Sequence, residues 1–401
     1  LTELEERKQT ILAAIAQQGK LTPELETKIT ACLQKTELED LYLPYRPKRR
    51  TRATIAREKG LEPLAEFIQA LNQPKAQPQD FEAEAARYVD AEKGVKSPAE
   101  ALAGAADILA EAVAERAEYR AYLRDWLLAT GLFVSRIKDD YPEGSTKFEM
   151  YRSYQAKIQS IPSHNLLALY RGETEGILTL DVEFAEDQAL AYLEDAVIRT
   201  KHAPLRSFYR DMIKDAFTRL LKNSLISEVR SLKKQEADIE SIKTFEANLR
   251  ELLLAAPAGM KPTIAVDPGF RTGCKVAVLD QTGQFLEYQT IFPHQSANQR
   301  SQAAQTLIRF IQQYQVALIA IGNGTAGRET EEFVREVLQP LEHKPIAVIV
   351  NEAGASVYSA SKVAIAEFPE QDVTVRGAIS IGRRLQDPLA ELVKIDPKSI
   401  G

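Results

Sequence analysis

Three polar residues follow short apolar runs in the second half of the chain, and their types suit metal or phosphate chemistry. Asp267 follows the β-branched run 263–266, and Asn323 and Glu352 each follow a later run of the same kind. Because the carboxyl ends of parallel strands meet at one edge of a sheet, we expect these side chains to lie close together. Carboxylates in such a place can hold the divalent ions with which a nuclease activates water. The candidate catalytic residues are therefore Asp267 and Glu352, with Asn323 beside them.

The third position of this constellation lacks a negative charge. A two-metal nuclease needs several converging carboxylates, and Asn323 offers only an amide. Glu329, Glu367 and Asp372 are candidates for a third ligand from a helix, but their spacing does not fix their geometry. The pattern indicates a degenerate site with no confident metal ligand and no cofactor, and Mg²⁺ enters only under a nuclease hypothesis.

The same edge also fits phosphate binding without metal. The glycine-containing segments 322–325 and 354–356 precede predicted helices, whose N-terminal N–H groups bind anions. Arg271 and Arg328 are expected near this edge. The alternative is that the glycines only form tight turns between a strand and a helix, and both interpretations stay open.

A basic segment near the N-terminus is a second candidate for phosphate contact. Residues 41–57 carry six cations and no acid, interrupted by two tyrosines and two prolines. The segment either contacts nucleic-acid phosphates or forms a solvated turn whose cations pair with Glu37, Glu39 and Asp40. With the cations near the sheet edge, the candidates for nucleic-acid contact are Arg46, Lys48, Arg49, Arg50, Arg52, Arg271, Arg328, Arg383 and Arg384.

Composition limits the class of protein. A chain of 401 residues predicts two or three domains, and 44% hydrophobic with 27% charged residues is typical of a soluble globular protein. Two cysteines fit a reducing cytoplasm, and no apolar run is long enough to span a membrane. The net charge of −6 argues against a uniformly basic nucleic-acid binder but allows local basic patches. The sequence begins with Leu and ends in mid-motif, so we expect a fragment of a longer protein.

The elements that position these residues divide the chain into three predicted parts. Residues 1–258 are expected to be mostly helical, with single helices over 21–41 and from Ser97 towards Gly131, two helices within 205–256, and short strands near 133–137 and 177–184. Residues 259–375 alternate strands and helices, and residues 376–401 suggest an irregular connection and the truncated start of a further helical region. The expected strands are 263–266, 275–279, 285–291, 317–321 and 346–350, and the expected helices are 297–314, 327–338 and 355–367. Three strands followed by alternating helices and strands is the order of a ribonuclease H-like fold with a mixed five-stranded sheet, in which the fourth strand pairs parallel to the first.

Several long motifs resemble the Tex family of bacterial transcription accessory proteins. Residues 267–273 (DPGFRTG), 322–325 (GNGT), 351–359 (NEAGASVYS) and 376–381 (RGAISI) are similar to its YqgF-type, ribonuclease H-like domain. Residues 37–45 with 48–52, 161–164 and 171–173 resemble its N-terminal region, and residues 387–397 resemble the start of its helix-hairpin-helix region. The resemblance spans nearly the whole chain.

This resemblance implies a cytoplasmic RNA- or DNA-binding transcription factor whose YqgF-like domain has lost nuclease competence. It also implies a helical segment before Leu1 and, after Gly401, helix-hairpin-helix and S1 modules that carry most of the nucleic-acid binding. Three hypotheses follow: a non-catalytic scaffold of such a factor, a metal-dependent nuclease or resolvase using Asp267 and Glu352, and an interaction platform for RNA polymerase or a ribosome-associated partner.

Overall fold

The protein is described by a computed structural model that covers residues 2–47, 50–77 and 79–400. The chain divides between Glu240 and Ser241 into a helical unit and a sheet unit. Across these described ranges, no helix combines the length and apolarity needed to cross a membrane.

The helical unit contains helices α1 to α11 and most of α12, with one small sheet. Its strands are β1 (Leu132–Ile137), β2 (Ser153–Lys157) and β3 (Leu178–Glu183), and both β2 and β3 pair antiparallel with β1. The helices are α1 (Thr2–Gln17), α2 (Pro23–Ala31), α3 (Lys35–Tyr42), α4 (Arg52–Glu58), α5 (Glu62–Leu71), α6 (Phe81–Ala85), α7 (Pro98–Ala114), α8 (Ala117–Thr130), α9 (Ser163–Thr174), α10 (Glu186–Val197), α11 (Ala203–Asp215) and α12 (Lys222–Leu253).

Helix α7 lies at the centre of this unit because its sequence allows neighbours to approach closely. Ser97 caps its N-terminus and Pro98 occupies its first turn. Ala101 and Ala105 are fully buried, and a side chain at Gly104 would overlap Leu61. The small residues thus let the chain around α4 and α5 pack directly on α7.

The sheet unit contains five strands in the order β6-β5-β4-β7-β8. The strands are β4 (Thr263–Asp267), β5 (Cys274–Leu279), β6 (Phe285–Ile291), β7 (Leu318–Gly322) and β8 (Ile346–Val350). The helices are α13 (Ala297–Gln313), α14 (Gly327–Leu338), α15 (Ala355–Ser359), α16 (Lys362–Glu367), α17 (Val373–Gln386) and α18 (Pro388–Leu392). β4 pairs antiparallel with β5 and parallel with β7, and β7 pairs parallel with β8. The predicted fold class and the parallel pairing of the first and fourth strands are confirmed.

Both faces of the central strands are covered, which explains their uninterrupted apolar sequences. One face of β4 and β7 packs against α13 and α14. On the other face, Ala265 packs against Ala378 and Ile379 of α17. The sheet is therefore held between two layers, with the carboxyl ends of β4, β7 and β8 side by side.

The structure corrects several sequence predictions. Residues 373–386 form the regular helix α17, not an irregular connection, and the predicted boundary at 375/376 lies inside it. The single helix expected over 21–41 is two helices, α2 and α3, and the helix expected from Ser97 to Gly131 is α7 and α8. Strand β2 was not predicted. Between α11 and α12 the chain forms a π-helical turn, Ala216–Leu221.

The expected boundary near residue 258 also differs from the division of contacts at Glu240. The last turns of α12 pack within the sheet unit, where Leu249, Leu252 and Leu253 lie against Tyr358 and Leu392. The change from a helical to an alternating strand-and-helix pattern near residue 258 thus marks the first strand of the sheet. It does not mark the first residue that packs in the sheet unit.

Candidate functional site

The strand order brings the three predicted residues to one edge of the sheet. Asp267 ends β4, Asn323 follows β7 directly, and Glu352 lies two residues beyond β8. The Asn323 side-chain oxygen accepts a hydrogen bond from the Glu352 backbone N–H at 3.1 Å, and the Asn323 N–H donates to the Val350 carbonyl at 3.0 Å. The amide at the third position therefore holds two loops together.

Glu352 occupies the space above the glycine turn. A Cβ atom at Gly324 would overlap Glu352 Oε1, and one at Gly322 would overlap Glu352 Oε2. Glycine at both positions leaves room for this carboxylate. Because an internal anion fills the place in which a phosphate was expected, the geometry favours a structural role for these glycines.

The two carboxylates at the edge are poorly compensated. Burial, with a further contribution from the negative charge of Glu352, raises the pKa of Asp267 to about 6, although Lys275 opposes the shift. Lys275 directs its ammonium group to the carbonyl oxygens of Thr272 and Gly273, each at 2.9 Å. Glu352 Oε2 is buried and has no hydrogen-bond partner. The edge thus holds two carboxylates whose neighbouring cations, Lys275 and Arg384, direct their hydrogen bonds to backbone carbonyls.

Two of the predicted third ligands are engaged elsewhere. Glu367 accepts hydrogen bonds from Tyr358, Arg383 and Lys394. Asp372 caps α17 by accepting from the backbone N–H groups of Thr374 and Val375.

Glu329 is exposed on the first turn of α14. Over residues 2–47, 50–77 and 79–400, no group of three His, Cys, Asp or Glu side chains is arranged to hold a metal. The donors present, Asp267 and Glu352, are carboxylates of the kind that bind Mg²⁺, but they are too few for the pair of ions of a two-metal nuclease.

Arg384 has a different role from the predicted one. Its side chain is 5% exposed and donates to the carbonyl oxygens of Asn351 and Ala353 at 2.9 and 2.7 Å, and burial lowers the pKa of its guanidinium. It therefore fixes the turn that carries Glu352, and its burial excludes direct contact with nucleic acid.

Arg383 is also committed within the fold. It donates to the Gly283 carbonyl at 2.9 Å and to Glu367 at 3.0 Å, and its guanidinium lies over the Phe368 ring. Arg271 and Arg328 are exposed, as the phosphate hypothesis requires.

The basic segment is partly neutralised, but by other acids than those expected. Arg50 pairs with Glu58 at 2.6 Å, and Arg57 pairs with the buried Glu111 at 2.8 Å. Arg46 and Arg52 are exposed. Lys48 and Arg49 lie outside the described residues.

The expected acids Glu39 and Asp40 serve other arginines. Glu39 forms a bidentate pair with Arg7, which lowers the pKa of Glu39. Asp40 is 4% exposed and accepts from Arg120 at 2.8 Å and also from Arg124.

Both arginines also donate to Glu228, and Arg120 donates to Ser224. We call Asp40, Arg120, Arg124, Ser224 and Glu228 the buried ion network. Sequence reasoning missed it, although Arg120 with Arg124 and Ser224 with Glu228 each show the four-residue spacing of one helix face.

Comparison with known proteins places both units. Residues 74–245 match the family described as Tex central region-like, and residues 261–386 match the Tex protein YqgF-like domain. Protein YhgF of Escherichia coli K12 is 46% identical across the whole chain, which covers 52% of that protein. The Transcriptional accessory protein Tex of Neisseria gonorrhoeae is 44% identical across the whole chain, again covering 52% of the relative. The human S1 RNA-binding domain-containing protein 1 is 32% identical over 96% of the chain and 40% of its own length. The chain thus spans about half the length of its bacterial relatives.

Proposed function

Because the chain belongs to the Tex family, we propose that it is the scaffold portion of a nucleic-acid-binding transcription accessory factor, and that its ribonuclease H-like sheet does not cleave nucleic acid. The names of two relatives, a transcriptional accessory protein and an S1 RNA-binding domain-containing protein, support the association with RNA or DNA.

The observation that carries the non-catalytic part of the proposal is the amide at Asn323. A two-metal mechanism needs carboxylates that share two ions. The residue that follows β7 is instead the neutral Asn323, whose side chain is already hydrogen-bonded to the Glu352 backbone. Glu367 and Asp372 are held by other partners. Asp267 and Glu352 then remain as two carboxylates that the fold brings to the same edge, without the further carboxylates that a two-metal mechanism needs.

The test is cleavage of end-labelled single-stranded RNA, single-stranded DNA, duplex DNA and a four-way junction by the 401-residue chain with Mg²⁺ or Mn²⁺. We expect no product above that of the Asp267→Asn variant. Metal-dependent cleavage that disappears in Asp267→Asn and in Glu352→Gln would overturn the proposal.

The nucleic-acid part is tested by fluorescence anisotropy with a labelled single-stranded RNA at several salt concentrations. Phosphate contacts release counterions, so the affinity should fall steeply between about 50 and 200 mM salt. An affinity that does not change with salt would contradict binding through phosphates.

A metal-dependent nuclease is the second candidate, and the buried, unpartnered Glu352 Oε2 favours it. Asp267 and Glu352 would hold the Mg²⁺, whose chemistry when bound is to polarise a phosphoryl oxygen and lower the pKa of water. Binding of Mg²⁺ by calorimetry, lost in Asp267→Asn and accompanied by cleavage, would select this candidate. Mg²⁺ binding without cleavage is compatible with the scaffold.

A further inference from the structure

A cleft in the helical unit has features of a ligand site that the strand edge lacks. It has a volume of about 460 Å³ and lies between the ends of α5, α7 and α10 and the sides of α8 and α11. This volume is in the range of small-molecule sites, about 300–1,000 Å³. Its lining includes the buried apolar side chains of Leu109 and Met212.

The charge of the cleft is of one sign. Arg116 and Arg199 are its only ionised lining residues among those the structure describes, and the rest are amides, tyrosines and apolar side chains. This lining is unusual in a chain with a net charge of −6. Two guanidinium groups in a cleft that is also lined by buried apolar side chains favour a ligand that combines an anion with an apolar body.

Both arginines are anchored by buried polar side chains. Arg116 donates to the Tyr119 hydroxyl at 3.0 Å, and its guanidinium lies over the Tyr119 ring at 5.3 Å. The amide of Asn72, which is 8% exposed, donates to the Val197 carbonyl at 2.8 Å and accepts from the Arg199 backbone N–H at 2.9 Å. These contacts fix the positions from which both cations extend, as a preorganised site requires.

An aromatic surface adjoins the cleft. Tyr119 contacts the ring of Tyr192 edge to face at 6.4 Å, and Tyr192 stacks on Tyr122 with centroids 3.7 Å apart. Tyr122 is 47% exposed, so the stacked pair presents a ring to solvent. Exposed aromatic rings beside cations are the arrangement on which proteins stack nucleobases.

We propose that this cleft binds a nucleoside phosphate, with the phosphate between Arg116 and Arg199 and the nucleoside against the apolar side chains of Leu109 and Met212. The same chemistry is offered by a free nucleotide and by the 5′-phosphorylated end of a single strand. The proposal does not depend on the state of the sheet edge or on a role in transcription.

The test is calorimetric titration of the 401-residue chain with AMP, adenosine and inorganic phosphate at low salt. We expect AMP to saturate one site and to bind at least about tenfold more tightly than adenosine or phosphate, because neither fragment uses both halves of the cleft. Arg199→Gln should weaken AMP binding by about tenfold or more, since it removes one guanidinium from a charge-assisted contact.

Arg199 is exposed, so its replacement leaves the fold intact, which circular dichroism will check. The matched control is Arg87→Gln, an exposed arginine of the same unit that pairs with Glu84 outside the cleft, and it should bind AMP like the parent chain. Failure of AMP to bind, or equal binding by the parent chain and Arg199→Gln, would overturn the proposal.

The source of the ligand is decided by a 5′-phosphorylated RNA hexamer and the variant Tyr122→Ser. If the site takes a strand end, the hexamer binds more tightly than AMP, and Tyr122→Ser weakens only the hexamer. If it takes a free nucleotide, AMP binds at least as tightly as the hexamer and Tyr122→Ser changes neither affinity. Both results support the cleft, whereas AMP binding that is the same in Arg199→Gln and the parent chain would contradict it.

Discussion

Each unit of the protein contains a cluster of buried or partly buried charged side chains, and the two clusters are balanced differently. In the helical unit, the buried ion network sets two arginines against two carboxylates, and each carboxylate contacts both guanidinium groups. At the edge of the sheet unit, the charges of Asp267 and Glu352 repel each other, and the cations that act on them, Lys275 and Arg384, donate to backbone carbonyls instead.

The difference indicates what each cluster is for. A buried carboxylate that is fully paired holds elements together, and its removal leaves uncompensated charge. A pair of carboxylates that no cation neutralises by direct contact works against folding, so it persists where a ligand uses it or where an inherited fold tolerates it. The pairing in the first cluster therefore fits a structural role, whereas the second cluster marks the candidate functional edge of the sheet.

Replacing Asp40 is the strongest test of the structural cluster. Asp40→Ala leaves Arg120 and Arg124 buried with Glu228 as the remaining acid, and such a change costs about 3–5 kcal/mol of unfolding free energy. Urea denaturation followed by circular dichroism measures it, with the transition of the helical unit separated from that of the sheet unit. A loss below about 1 kcal/mol, the range of an exposed pair, would show that the network is not what joins α3 to α8 and α12.

Asp267→Asn is expected to raise the free energy of unfolding, whereas Asp40→Ala lowers it. Between pH 3.8 and about 6 the folded chain holds a proton on Asp267 that the unfolded chain has lost, so its contribution to stability falls as the pH rises through this window. Asparagine never ionises. The variant should be more stable by on the order of 2 kcal/mol at pH 7.5, and the difference should vanish towards pH 4.

The measurement is urea denaturation of both proteins across this pH range with EDTA present, so that no metal masks the repulsion. Equal stability of the two proteins at pH 7.5 would mean that Asp267 is compensated in solution. The comparison between the clusters would then fail at the sheet edge.

Gly324→Ala sharpens the comparison by moving one carboxylate of the pair. The added methyl group overlaps Glu352 Oε1, which must swing away at a cost of about 1 kcal/mol. Because Glu352 contributes to the raised pKa of Asp267, this movement should also change that pKa. Adding Glu352→Ala should remove most of the cost, and a double-mutant cycle without coupling would show that Glu352 does not fill the glycine turn.

The sequence predicted which residues meet at the carboxyl ends of β4, β7 and β8 because its signals are local. Each strand is an apolar run, and each polar residue follows its strand directly, so topology alone brings Asp267, Asn323 and Glu352 together. Helix α17 was missed for the opposite reason. A side chain at Gly382 would overlap Leu279 and Ala265, so the glycine that suggests a loop is the one that lets this helix lie against the sheet.

The buried ion network was beyond local reasoning. Asp40 and its arginine partners are 80 and 84 positions apart, and Glu228 lies 104 positions or more from both arginines. The acids near the basic segment suggested a local pairing, but Asp40 points into the core and the segment finds Glu58 and Glu111 instead. Charge pairing across a helical unit depends on packing that no spacing in the sequence specifies.

The exposed ion pair of Arg50 and Glu58 gives the smallest expected change in unfolding free energy. Because both side chains are well exposed to solvent, Glu58→Gln should change the unfolding free energy by less than about 1 kcal/mol, which makes it the matched control for Asp40→Ala.

The same substitution, Glu58→Gln, releases Arg50 from its partner. If the basic segment contacts phosphates, single-stranded RNA should bind Glu58→Gln more tightly than the parent chain, with a steeper dependence on salt, because one more cation is available to displace counterions. Anisotropy titrations at two salt concentrations measure both quantities. An unchanged affinity together with an unchanged salt dependence would identify the segment as a solvated turn, and the exposed arginines Arg271 and Arg328 of the sheet unit would then be the next phosphate contacts to test.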